Sequence, residues 1–157
     1  MEDVKKIGLT IRTLKNMHKV LLTGVRNEQG VPGEFRDFQN YIAPRGTPIE
    51  QATYVPPPSK EIARLINEFE HYLNQKETAE DPIIQSGLLH YQFEAIHPFG
   101  DGNGRIGRLL IPLFFYERGI IKYPLVYISE ILERNHKTYY ELLRGVTEEN
   151  QWGNWLR

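Results

Sequence analysis

The chain has 157 residues, the size of one domain on the usual span of about 100–200 residues each, and enough for a single hydrophobic core. Hydrophobic residues make up 40% and charged residues 25%, ordinary values that exclude a long disordered tail, a collagen-like repeat and a coiled-coil rod. Lys and Arg number 19 against 20 Asp and Glu, a net charge of −1 that gives no reason to expect a nucleic-acid partner, and the absence of Cys excludes disulfides, thiolate metal sites and cysteine nucleophiles.

No apolar signal core follows the N-terminal Met-Glu-Asp-Val-Lys-Lys, and the longest apolar run, Leu109 to Tyr116, is too short to span a bilayer. A soluble cytoplasmic protein with no membrane partner is expected. The first predicted element is an amphipathic helix, with Val4, Ile7, Ile11, Leu14, His18 and Leu21 at spacings of three and four and Gly24 as its stop. From about Gly30 to Pro58 the chain is rich in Gly and Pro. Two short β-type runs, Phe35 to Ile42 and Ala52 to Val55, flank the turn-like stretch Pro44-Arg45-Gly46-Thr47-Pro48. This pattern predicts a β-hairpin flap over about residues 33–56, with an irregular surface loop as the alternative.

Ser59 reads as a helix N-cap, followed by the stripe Ile62, Leu65, Ile66, Phe69 and Leu73. Asp81-Pro82 is the next start signal, and that helix should run through Leu88, Leu89 and Phe93 to about Ile96. A glycine-rich stretch intervenes before a helix from about Asn103 to Arg118, apolar on every side and so expected at the centre, with a kink at Pro112. Ser129 should cap a last long helix carrying Ile131, Leu132, Asn135, Tyr139, Leu142, Leu143 and Val146 inward, before the apolar face of Trp152, Trp155 and Leu156. The fold class is mainly α.

The chemistry concentrates in His97-Pro98-Phe99-Gly100-Asp101-Gly102-Asn103-Gly104-Arg105-Ile106-Gly107-Arg108. Gly102, Asn103 and Gly104 stand where a loop becomes a helix N-terminus, and successive N–H groups there make an anion nest suited to phosphate. Arg105 and Arg108 lie three residues apart and offer guanidinium forks to phosphate oxygens. Asp101 is a hard oxygen ligand, and one carboxylate with phosphates is an ordinary setting for Mg²⁺. His97 titrates near neutrality and can take a proton from an attacking hydroxyl. Phe99 should anchor the loop in the core, and Pro98 should stiffen it. Each part alone has an ordinary reading: a satisfied histidine, an Asp-Gly turn, a solvated arginine pair. Their combination over residues 97–108 points to transfer of a phosphorus-containing group. His18, His71, His90 and His136 are read as ordinary surface or core histidines. The G-x-x-x-x-G-K-[ST] and G-x-G-x-x-G phosphate loops, the H-E-x-x-H zinc helix and the G-x-S-x-G elbow are all missing.

At this segment the chain resembles the Fic family, whose motif His-Pro-Phe-x-Asp/Glu-Gly-Asn-Gly-Arg-x-x-Arg is matched at every fixed position by residues 97–108. The likeness extends to Leu89 through Ile96, to Gly33-Glu34-Phe35-Arg36 and Tyr54-Val55-Pro56-Pro57 as flap borders, and to Ser129-Glu130, Tyr139-Tyr140, Trp152 and Trp155. The resemblance implies a Fic-type helical bundle with a β-hairpin flap beside the active site, acting as a protein adenylyltransferase. AMP would pass from ATP to a Ser, Thr or Tyr hydroxyl of a target protein or of the chain itself. His97 would be the general base and Asp101 the Mg²⁺ ligand. Gly102, Asn103 and Gly104 would cradle phosphates. Arg105 would bind and stabilise the β-phosphate region and Arg108 the γ-phosphate end, with Gly107 counted among the nucleotide-binding positions. Tyr41 and Ile42 on the flap and Tyr140 on the late helix are further nucleotide candidates, with ordinary packing as their alternative. The protein target would lie along the flap.

Gly104 stands where a protein-phosphorylating branch of the family has Lys, which favours attack at the α-phosphorus here. Another donor such as UTP, GTP or CDP-choline, kinase or de-AMPylase activity, and a non-catalytic nucleotide-binding module stay open. Many family members carry an inhibitory helix, Ser/Thr-x-x-x-Glu-Gly/Asn, whose Glu pairs with the second motif arginine, here Arg108. The nearest match, Ser129 to Glu133, is followed by Arg134 and lies in a core helix, so it is coincidental. The expectation is a single catalytic core over residues 1–157, truncated from a longer protein. Its inhibitory helix would come from a segment outside these residues or from a partner chain.

Overall fold

The computed structural model describes residues 8–24, 30–75, 78–124 and 128–157. Seven α-helices are found among them: α1 (Ile11–Leu22), α2 (Ile62–Leu73), α3 (Pro82–Ile96), α4 (Asn103–Glu117), α5 (Ile128–Arg134), α6 (His136–Glu149) and α7 (Trp152–Trp155). None of the described helices is long and apolar enough to cross a membrane.

Helix α1 starts after Gly8 in the left-handed region and Thr10, whose hydroxyl accepts from the Thr13 N–H. Val4 and Ile7 of the expected stripe lie outside the described residues. Leu14, His18 and Leu22 form its buried face. Helix α3 begins as expected, with the Asp81 carboxylate accepting from the Ile83 N–H and Pro82 at the first turn. Gln85, Ser86, Leu89, His90, Tyr91, Phe93 and Ile96 are buried along it, so α3 is the central rod, with α2 on one side and α4 on another. Helix α4 runs unbroken through Pro112, but it leaves Leu109 at 41% exposure and is not buried all round. Phe93, Phe99, Ile106, Leu110 and Phe114 bind these helices into one core with Ile62, Ile66 and Phe69 from α2.

Further expectations are corrected. Ser59 opens a 3₁₀ turn and donates its hydroxyl to the Asp37 carbonyl, so α2 starts at Ile62 without a side-chain cap. The last long helix is two helices: Asn135 turns its side-chain amide onto the Ile131 carbonyl and leaves helical geometry between α5 and α6. Ser129 lies inside the first turn of α5, and Ile131 is 63% exposed, not inward.

The flap has no strand among its described residues. Its two β-type runs meet in a single antiparallel bridge, Ile42 with Tyr54. The physical reason lies in where the donors go. The Arg36 main-chain N–H donates to the Pro98 carbonyl, and the Asn40 side-chain Nδ2 fastens the same run to the Phe99 carbonyl. Pro48, Pro56, Pro57 and Pro58 have no N–H to offer a ladder. The segment is thus an extended loop fastened to the motif, with a turn closed by the Thr47 N–H on the Pro44 carbonyl.

Candidate active site

Helix α3 ends where the chemistry begins. His97 is its C-cap, in the left-handed region at φ +49° and ψ +58°, and its N–H closes on the Phe93 carbonyl. A residue with a Cβ adopts that conformation at a cost on the order of 1 kcal/mol, so surrounding contacts must hold it. The His97 Nδ1 lies 3.2 Å from the Glu94 carbonyl. A carbonyl can only accept, so Nδ1 carries the proton and Nε2 keeps a lone pair. Burial pushes the imidazole down to about 4, against the pull of that hydrogen bond, so it is neutral at pH 7.

The loop after His97 is stitched inward. Phe99 is fully buried, and the Asn103 side chain pairs with both of its main-chain groups: Oδ1 accepts from the Phe99 N–H at 2.9 Å and Nδ2 donates to the Phe99 carbonyl at 2.8 Å. Gly102, at φ +79°, turns the chain into α4 and provides no side-chain cap. Its own N–H is taken by Asp101 Oδ1 at 2.6 Å. The next N–H groups, on Asn103, Gly104 and Arg105, precede the first helical bond, from Ile106 to the Gly102 carbonyl. They have no intrahelical acceptor and stand at the positive end of the helix dipole.

Around this uncapped end, Asp101 and Arg105 are half-exposed and loosely paired, with Oδ2 and Nη2 3.4 Å apart. Arg108 reaches back along α4: a Cβ at Gly104 would stand 3.1 Å from its Nη1, and its Nε is buried without a partner. Gly107 is buried, and its carbonyl accepts from His90 Nδ1. A Cβ there would lie 2.3 Å from Glu94 Oε1, so Gly107 makes room for that carboxyl. Burial pushes Glu94 up to about 7, although Arg108 opposes the rise.

A cavity of about 400 Å³ opens between the bridge, the end of α3 and helix α6. Ile42, Tyr54, Glu94, Ala95 and Tyr140 line it, and its walls are mostly apolar. Ile42 and Tyr140 are therefore brought together at the last turn of α3, in a cavity that no residue of the 97–108 motif lines. Tyr41 is not: its hydroxyl donates to the Thr47 carbonyl, and it lines a separate hollow with Asn40 and Arg45. Sequence reasoning missed Glu94, Arg36 and His18, which position the motif from outside it. The signal for His18 was its place on the inner face of α1; Glu94 and Arg36 fell within the segments of the family resemblance, but no role was assigned to either.

A family model described as Fic/DOC family matches residues 8–115. A protein adenylyltransferase Fic from Drosophila grimshawi is 33% identical over 92% of this chain, and the match spans only 27% of that relative's length. A Fic family protein structure from Desulfovibrio desulfuricans superposes with a TM-score of 0.76 at 26% identity, over 98% of this chain and 45% of the other. A Fic domain containing signaling protein from Bacteroides thetaiotaomicron, at 23% identity and a TM-score of 0.71, shares the fold over 98% of this chain and 54% of its own. With the matched residues covering most of the chain and the motif intact, the chain belongs to the Fic/DOC family.

Proposed function

We propose that the chain transfers AMP from ATP to a Ser, Thr or Tyr hydroxyl of a target protein or of itself. His97 Nε2 accepts the hydroxyl proton, the freed oxygen bonds to the α-phosphorus, and the bond to pyrophosphate breaks. One observation carries this reading: an imidazole whose proton is held on Nδ1 by the Glu94 carbonyl comes just before, in the chain, a helix N-terminus that has no side-chain cap. The name of the Drosophila relatives, protein adenylyltransferase, supports the same reaction.

The phosphates would lie on the N–H groups of Asn103, Gly104 and Arg105, with the Arg105 and Arg108 guanidiniums on their outer oxygens. The apolar cavity against Ile42 and Tyr140 suits a flat base. Asp101 fits a Mg²⁺ ion held by one carboxylate and substrate phosphates, and among the described residues no cluster of three ligating side chains offers a closed protein site. When bound, Mg²⁺ would neutralise phosphate charge. The target would lie along the flap, whose two extended runs share one antiparallel bridge.

The test is intact-mass measurement after incubation with Mg²⁺-ATP, comparing the chain with His97→Ala. The parent, or a protein in an added lysate, should gain one AMP, and the variant should lose the gain by about 100-fold or more in rate. An undiminished gain in His97→Ala would remove the base from the scheme.

A further inference from the structure

Arg36 is the most unusually placed cation in the described structure. It is 4% exposed, yet its side chain meets no carboxylate among the described residues. Among the described residues it donates only to main-chain carbonyls: Nε to His97 at 2.9 Å, Nη1 to Phe38 at 2.9 Å, Nη2 to Pro57 at 2.6 Å and, at longer range, to Ile96 at 3.4 Å. Its own N–H donates to the Pro98 carbonyl at 2.9 Å.

A buried guanidinium without a counter-ion is costly, and capping a helix does not require one. A glycine cap would satisfy the end of α3 more cheaply and would also relieve the left-handed strain at His97. What only a rigid, forked donor can do is hold several carbonyls in fixed mutual positions. The carbonyls held here come from three places: the last turn of α3 with His97, the entry to the flap at Phe38 and its exit at Pro57. The partial negative charge at the C-terminal end of α3 offsets part of the desolvation.

We propose that Arg36 is a positioning residue for the transfer reaction: by gripping the His97 carbonyl it fixes the left-handed backbone that aims the imidazole, and by gripping Phe38 and Pro57 it locks the base of the flap to that same atom. The inference rests on His97 acting as the base. Without the grip, His97 relaxes toward an ordinary helical or extended backbone. Its Nδ1–H then leaves the Glu94 carbonyl, and the base loses both its tautomer and its aim.

Arg36→Met and Arg36→Lys test this with two readouts. The first is the split of kinetic constants. Arg36 touches no group proposed to bind phosphate, so KM for ATP should stay within about twofold, while kcat falls by about 100-fold in Arg36→Met. Arg36→Lys keeps the charge but not the fork and should fall by about tenfold. The second is the ¹⁵N spectrum of the histidines at pH 7, assigned with His97→Gln. The parent His97 should show one tautomer with Nε2 unprotonated, and both variants should show a mixture. If Arg36→Met does not fold, Arg36→Lys decides by the same two readouts. A folded variant with lowered Tm but unchanged tautomer and unchanged kcat would overturn the proposal and leave Arg36 a purely structural tie. The tautomer signal needs no turnover, so it still judges Arg36 if His97→Ala labels as fast as the parent and the proposed chemistry fails.

Discussion

His18 lies flat on Phe99, ring centroids 3.8 Å apart and planes within 5°. The imidazole joins three segments. Its Nδ1 accepts from the Gly33 N–H at 2.8 Å, which leaves the proton on Nε2 to be donated to the Asp101 carbonyl at 2.9 Å. Burial lowers its pKa, which favours this neutral form. One histidine on α1 thus seats the residue proposed to hold Mg²⁺.

His18→Phe keeps the stack and removes both hydrogen bonds. The buried Gly33 N–H and the partly buried Asp101 carbonyl then lack partners, and stability should drop by roughly 1–3 kcal/mol in urea unfolding. Equal stability of the two proteins would show that water or a shifted loop satisfies those groups.

Glu94 gives the fold an uncommon pH dependence. Its carboxyl rises from 4.5 to about 7, so the native state holds a proton that the unfolded chain has released. Stability is then lost as pH rises through this window, by roughly 3 kcal/mol above pH 7. His90 and His97 act in the opposite sense. Both are pushed from 6.5 down to about 4 by burial, so acidification through that range destabilises the fold. Glu94→Gln should be more stable than the parent at pH 8 and nearly equal at pH 5, with stability that climbs from pH 4 to 6.5. Urea titrations at several pH values check this; a gap of the same size at pH 5 and pH 8 would count against an ionising Glu94.

Gly107→Ala forces a methyl group to within 2.3 Å of Glu94 Oε1 and 3.2 Å of His90 Cε1. Overpacking of this kind costs about 1–3 kcal/mol. Because the obstacle is one carboxyl, Gly107→Ala should cost markedly less in a Glu94→Ala background, a coupling that a double-mutant cycle reads directly. Additive losses would place the clash elsewhere.

The proposed choice of phosphorus turns on Gly104. A side chain there begins 3.1 Å from Arg108 Nη1, so a Lys would press a second cation on the first. With Gly104 the label should pass to protein from ATP labelled at the α position and not from ATP labelled at the γ position. Transfer from the γ position alone would make the chain a kinase.

The parts of this molecule written locally were legible in the sequence. Asp81 and Pro82 announce α3 because a cap and a first-turn proline act within one helical turn. The segment from His97 to Arg108 is readable for the same reason: nest, carboxylate and guanidiniums are near neighbours along the chain. What could not be read depends on distant partners. Ser59 has the chemistry of a cap but finds the Asp37 carbonyl instead. Phe35 to Ile42 has β propensity, yet its donors meet the motif loop before any strand could pair with them. Asn135 looks like one more helical position until its amide captures the Ile131 carbonyl. Arg36 and Glu94 lie in segments that resemble the family, but their burial depends on partners far along the chain.

The Asn103 amide, closed in a ring with the Phe99 main chain, has a consequence for how a ligand is received. Because the protein braces this curve with its own atoms, the pocket has its working shape before any visitor arrives. Little ordering entropy remains to be lost on association, so the nucleotide proposed to bind here would meet a mould already cast.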